Sequence, residues 1–225
     1  MLPEQILDGY DVVDNSYFWN ESQKARHNPA AYRRLAGLET PGPFFLASAR
    51  FIKRKNLDGL LRAYGTYRER RAGRNAWRLV ILGDGAERQG LERIIDDEGL
   101  DGVSMPGFRQ IDELPAYYGL AGAFIHPPLQ EQWGLVVNEA MASGLPVLVS
   151  DRCGCAPDLV REGENGFTFD PEDSGALAML MDHVSSRQVD LAEMGRSARS
   201  HISLWGPERF AEGMYRAFSV ATSSR

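Results

Sequence analysis

From Phe44 onward the sequence predicts an α/β protein built on a doubly wound parallel sheet. Two observations carry this. Short apolar runs recur along the chain, each followed by a turn bearing glycine, proline or charge, and between successive runs lies a stretch with the spacing of an amphipathic helix. Strand and helix signals alternating in this way belong to sheets whose parallel neighbours are joined through helices.

The apolar runs are Phe44 to Ala49, Trp77 to Leu82, Val103 to Met105, Ala123 to His126, Pro146 to Ser150 and Phe167 to Phe169. Helices are expected between them at about 57–71, 86–98, 112–120, 134–143, 156–161 and 173–185, then at 189–203 and 207–220. Residues 44–205 therefore read as the sheet domain and 206–225 as a closing helix. The first 43 residues differ. Tyr10 to Val13 reads as a short strand, Glu21 to Leu35 as a polar helix, and Thr40-Pro41-Gly42-Pro43 as a linker stiffened by its prolines. That segment is too small to fold alone.

Composition narrows the class. With 43% hydrophobic and 25% charged residues the chain is ordinary for a globular protein. A formal net charge of -6 argues against general attraction to nucleic acid or to anionic membranes. The start, Met-Leu-Pro-Glu-Gln, lacks the basic and apolar regions of a signal peptide, and no run approaches the length of a membrane span, so a cytoplasmic location is expected. Cys153 and Cys155 are too few for a disulfide framework or a four-ligand zinc site and read as two small loop side chains.

Parallel sheets of this kind take ligands at the carboxyl ends of their strands. After the fourth run stands Glu131-Gln-Trp-Gly-Leu-Val-Val-Asn-Glu139, two carboxylates with seven residues between them. With a helix starting near Gly134, its unpaired N–H groups at Gly134 and Leu135 suit a phosphate oxygen, and glycine permits close approach. Glu131 and Glu139 then flank an anion and can accept hydrogen bonds only from neutral hydroxyls, as from a sugar and a ribose. By spacing alone, a capped surface helix with two solvated glutamates is the plainer account. The first run changes that balance, because it ends in Ser48-Ala49-Arg50-Phe51-Ile52-Lys53-Arg54-Lys55-Asn56 and puts Arg50 and Lys55 at the same sheet edge. Two cations there suit a diphosphate; Lys53 and Arg54 read as solvated.

Other strand ends carry weaker signals. Gly83-Asp84-Gly85 would let backbone approach a nucleotide, but it is no dinucleotide fingerprint: the next glycine is Gly90, and no acidic residue ends a following strand. This argues against a nicotinamide oxidoreductase. Phe108 and Arg109, after Gly107, are placed to lie against a base, although an aromatic there is more often core. His126 reads as a hydrogen-bonded structural histidine. No Asp-x-Asp pair offers itself to a divalent metal, which leaves Arg50, Lys55 and the helix start to stabilise a leaving group.

Together, Ala49-Arg50 through Lys55-Asn56, Leu82-Gly83-Asp84-Gly85, Met105-Pro106-Gly107-Phe108, Glu131-Gln-Trp-Gly, Asn138-Glu139-Ala140-Met141-Ala142 and Gly144-Leu145-Pro146-Val147 resemble glycosyltransferase family 4. Asp158-Leu159-Val160, Gly163-Glu164-Asn165-Gly166 and Leu204-Trp205 continue the pattern in order, so that the likeness covers about residues 44–220. It implies a retaining GT-B transferase and, for this chain, the C-terminal, Rossmann-like, donor-binding domain. By motif match Arg50 and Lys55 meet the diphosphate, Glu131 the donor sugar and Glu139 the ribose; Gly134 and Leu135 give backbone amides, and Gly107, Phe108 and Arg109 line the base pocket. Ala49 and Pro128 stand where the family commonly has glycine and serine.

The resemblance further implies a nucleotide-sugar donor, no metal or other cofactor, and an acceptor-binding domain, of which residues 1–43 read as the tail, to be supplied by a separately encoded or missing segment. Phe210, Met214 and Phe218, four residues apart, make an apolar stripe on the last helix that residues 1–40, an acceptor domain or a second copy in a homodimer would cover. The rival expectation is a nucleotide-binding or scaffold module without catalysis.

Overall fold

The computed structural model describes residues 11–38, 41–72, 75–186 and 188–223. Six parallel strands form one sheet: β1 (Phe44–Ser48), β2 (Arg78–Leu82), β3 (Val103–Gly107), β4 (Ala123–His126), β5 (Val147–Ser150) and β6 (Gly166–Phe169), in the order β3-β2-β1-β4-β5-β6. The chain winds outward from β1 to β3, then returns to lay β4 against the other side of β1. Phe45 accordingly pairs with Leu79 of β2 on one side and Ala123 of β4 on the other.

Both faces are covered, and the pleat explains how one short run serves two cores. Phe44 and Leu46 point to one face with Val80, Leu82, Phe124, Val147 and Val149. Phe45 and Ala47 point to the other with Leu79, Ile81, Ala123, Ile125 and Leu148. The second face is closed by α3 (Leu57–Arg70), which packs on α4 (Arg88–Asp97) and α8 (Ser174–Val184). The first is closed by α5 (Leu114–Leu120), α6 (Leu135–Ala142) and α9 (Leu191–Ile202), with α7 (Ala156–Leu159) adding Ala156 and Leu159. The strands and helices expected from residue 44 onward are all present, with ends shifted by a few residues.

The N-terminal segment departs from expectation. No strand forms at residues 11–13, where Asp11 has φ 54°; Tyr10 lies outside the described residues, as does Thr40 of the expected linker. Instead of one helix from Glu21 there are α1 (Asn15–His27) and α2 (Pro29–Leu35). Asp14 caps α1 by accepting from the Tyr17 amide at 2.9 Å, and Pro29, which has no N–H to continue a helix, starts the second behind an Asn28 cap. The first helix packs on α5 and α6, burying Phe18 and Ala25, and Ser22 donates to Ser143 at 3.0 Å.

The last helix, α10 (Pro207–Ser223), follows Trp205, which is buried against Trp133 with ring centroids 5.5 Å apart. Beyond that anchor Phe210, Met214 and Phe218 are all exposed. No helix of the described residues is long and apolar enough to cross a membrane.

Candidate functional site

Strand order reverses between β1 and β4, so the loops leaving these two neighbours diverge and open a crevice at the carboxyl edge. After β1 the chain makes a 3-10 turn, Lys53–Lys55, and passes Asn56 in the left-handed region at φ 53°. The Asn56 side-chain amide donates to the carbonyls of Pro127 at 3.1 Å and Pro171 at 2.8 Å, while the Leu129 amide donates to the Arg54 carbonyl at 2.9 Å. These bonds fasten the basic turn to the loop after β4. Lys55 is thereby brought into an ion pair with Glu131, 76 residues on, both side chains nearly nine-tenths buried. Burial pulls the Lys55 pKa down, helped by the nearby Arg54 and Arg50 cations; the touching carboxylate opposes that shift. Arg50 is exposed.

Glu131 is held by backbone as well. Its amide donates to the Arg152 carbonyl at 3.3 Å, and its carbonyl accepts from the Gly154 amide at 3.0 Å. A side chain at Gly154 would put Cβ 1.8 Å from the Gln132 carbonyl oxygen, so the segment after β5 can lie this close only as glycine. The loop then turns at Gly134, φ 104°, into the head of α6, where Leu135 is exposed. A helix therefore starts at Gly134, as expected, close to Glu131 and its partner Lys55.

Glu139 lies further along α6, and its carboxylate accepts from the Tyr118 hydroxyl of α5 at 2.7 Å. Burial pushes the Glu139 pKa up to about 7, the Tyr118 bond opposing. The same burial and the facing carboxylate push Tyr118 well above the usual tyrosine range. Tyr118 was not singled out in the sequence, and a tyrosine in an apolar helix gives no signal that could have found it.

His126 requires a correction. It is structural in place, ending β4 at 1% exposure, but among the described residues neither ring nitrogen has a hydrogen-bond partner. Nε2 lies 3.7 Å from Glu131 Oε2, too far for a hydrogen bond, and Lys55 pairs with that same oxygen. Burial first, and the Lys55 charge second, lower the ring pKa to about 3.

The glycines of the second strand end have a different neighbour from the one their spacing suggested. A Cβ at Gly83 would sit 1.8 Å from the Ala49 carbonyl oxygen, and one at Gly85 2.5 Å from that of Phe51. What they admit is the chain's own backbone, on either side of Arg50, with the Phe51 amide donating to the Asp84 carbonyl at 2.8 Å. Gly107, φ 94°, has open space where a side chain would go. Phe108 is exposed rather than core, and Arg109 donates from Nε to the Tyr117 hydroxyl at 2.9 Å. Cys153 and Cys155 are buried free thiols, with Cys153 donating to the Trp133 carbonyl at 3.2 Å. Among the described residues no group of three or more His, Cys, Asp or Glu is placed to hold a metal ion.

A family model described as glycosyl transferases group 1 matches residues 31–201. A sucrose synthase of Acidithiobacillus caldus is 33% identical over 217 residues, covering 85% of this chain and 27% of that protein. A sulfoquinovosyl transferase of Arabidopsis thaliana is 41% identical over 177 residues, covering 75% of this chain and 32% of that one. The chain thus spans about a third or less of these relatives. Among solved structures, a sucrose-phosphate synthase from Thermosynechococcus elongatus superposes with a TM-score of 0.78 at 24% identity, over 95% of this chain and 52% of that one.

Proposed function

The chain belongs to the glycosyl transferases group 1 family, and on that premise we propose that it binds a nucleotide-sugar at the carboxyl edge of its sheet as the donor side of a retaining hexosyltransferase. The observation that carries this reading is the convergence of Lys55, Glu131 and the head of α6 where the strand order reverses, with Arg50 on the adjoining loop. A helix start and two cations match a diphosphate, and carboxylates on either side of that anion match the hydroxyls of a sugar and of a ribose. Glu131 takes the sugar and Glu139 the ribose. Gly107, Phe108 and Arg109 line the base site, where Phe108 is free to stack. Gly83 and Gly85 serve the site by seating the loop that carries Arg50.

As the donor's glycosidic bond breaks, negative charge gathers on the departing diphosphate. Arg50, Lys55 and the α6 amides stabilise that charge without a metal. The departing phosphate helps take the acceptor's proton, and the acceptor's own site lies outside this sheet domain.

Calorimetry in metal-free buffer against a panel of nucleoside diphosphates and their sugar conjugates tests this. One base series should bind, and Lys55→Ala or Arg50→Ala should weaken it by about 1.5–3 kcal/mol. Glu139→Gln should weaken diphosphate and conjugate alike, whereas Glu131→Gln should weaken only the conjugate. Absence of binding across the panel would overturn the reading.

A further inference from the structure

A histidine that has no hydrogen-bond partner among the described residues lies beside the Lys55–Glu131 ion pair. Buried polar groups in proteins are almost always hydrogen-bonded, and an orphan calls for an explanation. His126 ends β4, is 1% exposed and has neither ring nitrogen satisfied. Its Nε2 faces the same Oε2 atom of Glu131 that Lys55 holds, at 3.7 Å. A Cβ built on Gly134 would lie 3.0 Å from this nitrogen and 3.3 Å from Cys153 Sγ, so the strand end, the head of α6 and the loop after β5 all close around the ring. The titratable groups facing it are Lys55 from the 3-10 turn, Glu131 from the loop after β4 and Cys153 from the loop after β5; Arg50 and Arg54 stand beyond Lys55.

The Lys55 ammonium has three N–H donors, and a diphosphate at the head of α6 would draw them away from Glu131. If Lys55 turns to the diphosphate, Glu131 loses its partner at the moment it must be held still to accept from sugar hydroxyls. We propose that His126 is a positioning residue that takes Glu131 over at that moment, its Nε2–H donating to Oε2 in place of the ammonium. This rests on the nucleotide-sugar reading of the site. Closing the gap to ordinary hydrogen-bond length requires a movement of under about 1 Å, and the neutral ring needs no proton from solvent to make the bond. Lys55 thus reports the diphosphate to Glu131, and His126 keeps the sugar contact in register.

The exchange is testable without ligand, because Lys55→Met removes the ammonium as diphosphate binding would withdraw it. Side-chain nitrogen NMR should then show a protected Nε2 proton on His126 and a ring pKa at least one unit higher than in the parent. Most of that rise should vanish in Lys55→Met with Glu131→Gln. Backbone amide dispersion checks folding, and Lys55→Leu, which likewise carries no donor, provides a second route. His126 resonances identical in the parent and in these Lys55 variants would overturn the exchange.

The ligand arm adds uridine diphosphate and uridine diphosphate glucose. Movement of His126 Nε2 together with the Gly134 and Glu139 amides supports the exchange; movement of those amides alone overturns it. If calorimetry finds no nucleotide that binds, the site reading fails, while the Lys55→Met result still decides whether His126 can hold Glu131. Where a conjugate binds, His126→Leu should weaken it at least fivefold, leave the diphosphate within twofold and be rescued largely by His126→Gln. Equal loss of both ligands would mark a merely structural histidine.

Discussion

The Tyr118 hydroxyl donates to the Glu139 carboxylate at 2.7 Å, joining α5 to α6 beneath the candidate site. The bond does not fully offset burial, and Glu139 titrates near 7 instead of in the usual carboxylate range. Between about pH 4.5 and 7 the folded chain holds a proton at Glu139 that the unfolded chain has lost. Stability therefore falls as pH rises through this window, by up to about 3 kcal/mol for the full shift. His126 acts with the opposite sign. Its folded pKa is depressed to about 3, so its contribution is present above the unfolded value near 6.5 and is lost as pH falls toward 3. From pH 4.5 to 6.5 the two slopes cancel.

Denaturant unfolding across pH should therefore show Glu139→Gln losing stability as pH falls below 6.5. His126→Gln should lose it as pH rises from 4.5 to 7. Parallel pH profiles for the parent and both variants would show that neither group is shifted as described.

Loop packing gives a second prediction. Gly83→Ala combines φ 123° with a Cβ 1.8 Å from the Ala49 carbonyl oxygen, an atom of fixed backbone. It should cost roughly 3 kcal/mol and displace the Arg50 loop. Gly163→Ala shares a positive φ, 74°, but meets nothing within 4 Å, and should cost only about 1–2 kcal/mol. Equal midpoint shifts on chemical denaturation would refute close approach as the reason for Gly83.

The fold was legible because each strand is a short apolar run buried on both faces. Arg50, Lys55, Glu131 and Gly134 were legible as candidates because each follows a strand or opens the helix after one, and Glu139 by its spacing from Glu131. What stayed hidden is pairing across distance. Nothing in a sequence joins Lys55 to Glu131 or Tyr118 to Glu139, and the glycines at 83 and 85 announced a close approach without saying that the chain's own loop makes it. A buried histidine is expected to be hydrogen-bonded because buried polar groups usually are; that neither nitrogen of His126 finds a partner among the described residues depends on three-dimensional packing that no local pattern encodes. At the N-terminus the polar stretch suggests one helix, whereas Pro29, which has no N–H to continue it, divides the segment behind Asn28.

The α10 helix yields a third prediction. Phe210, Met214 and Phe218 are 44%, 58% and 67% exposed, on one stripe that the described residues do not cover. The 225-residue chain should bind a hydrophobic dye or self-associate with concentration, and Phe210→Ser with Phe218→Ser should abolish either behaviour without lowering the unfolding midpoint. A parent that stays monomeric and binds no dye would show that the stripe is covered.

The last prediction concerns transfer itself. Glycosyl transfer needs the donor's anomeric carbon and the attacking hydroxyl held within about 3–3.5 Å in a setting that excludes water, and much of the rate comes from that positioning. The described residues form one sheet, with Arg50, Lys55, Glu131 and Glu139 gathered along one edge of it. On the proposed reading this wall holds the donor and stabilises its departing diphosphate, and an acceptor would have to be fixed from the opposite side. The 225-residue chain alone should therefore hydrolyse a nucleotide-sugar slowly at most. Adding an acceptor-side domain, taken from a relative and expressed separately, should raise labelled-sugar incorporation into acceptor well above that background, and Lys55→Ala should remove the gain. Efficient incorporation by the chain alone would show that the described wall carries an acceptor site of its own.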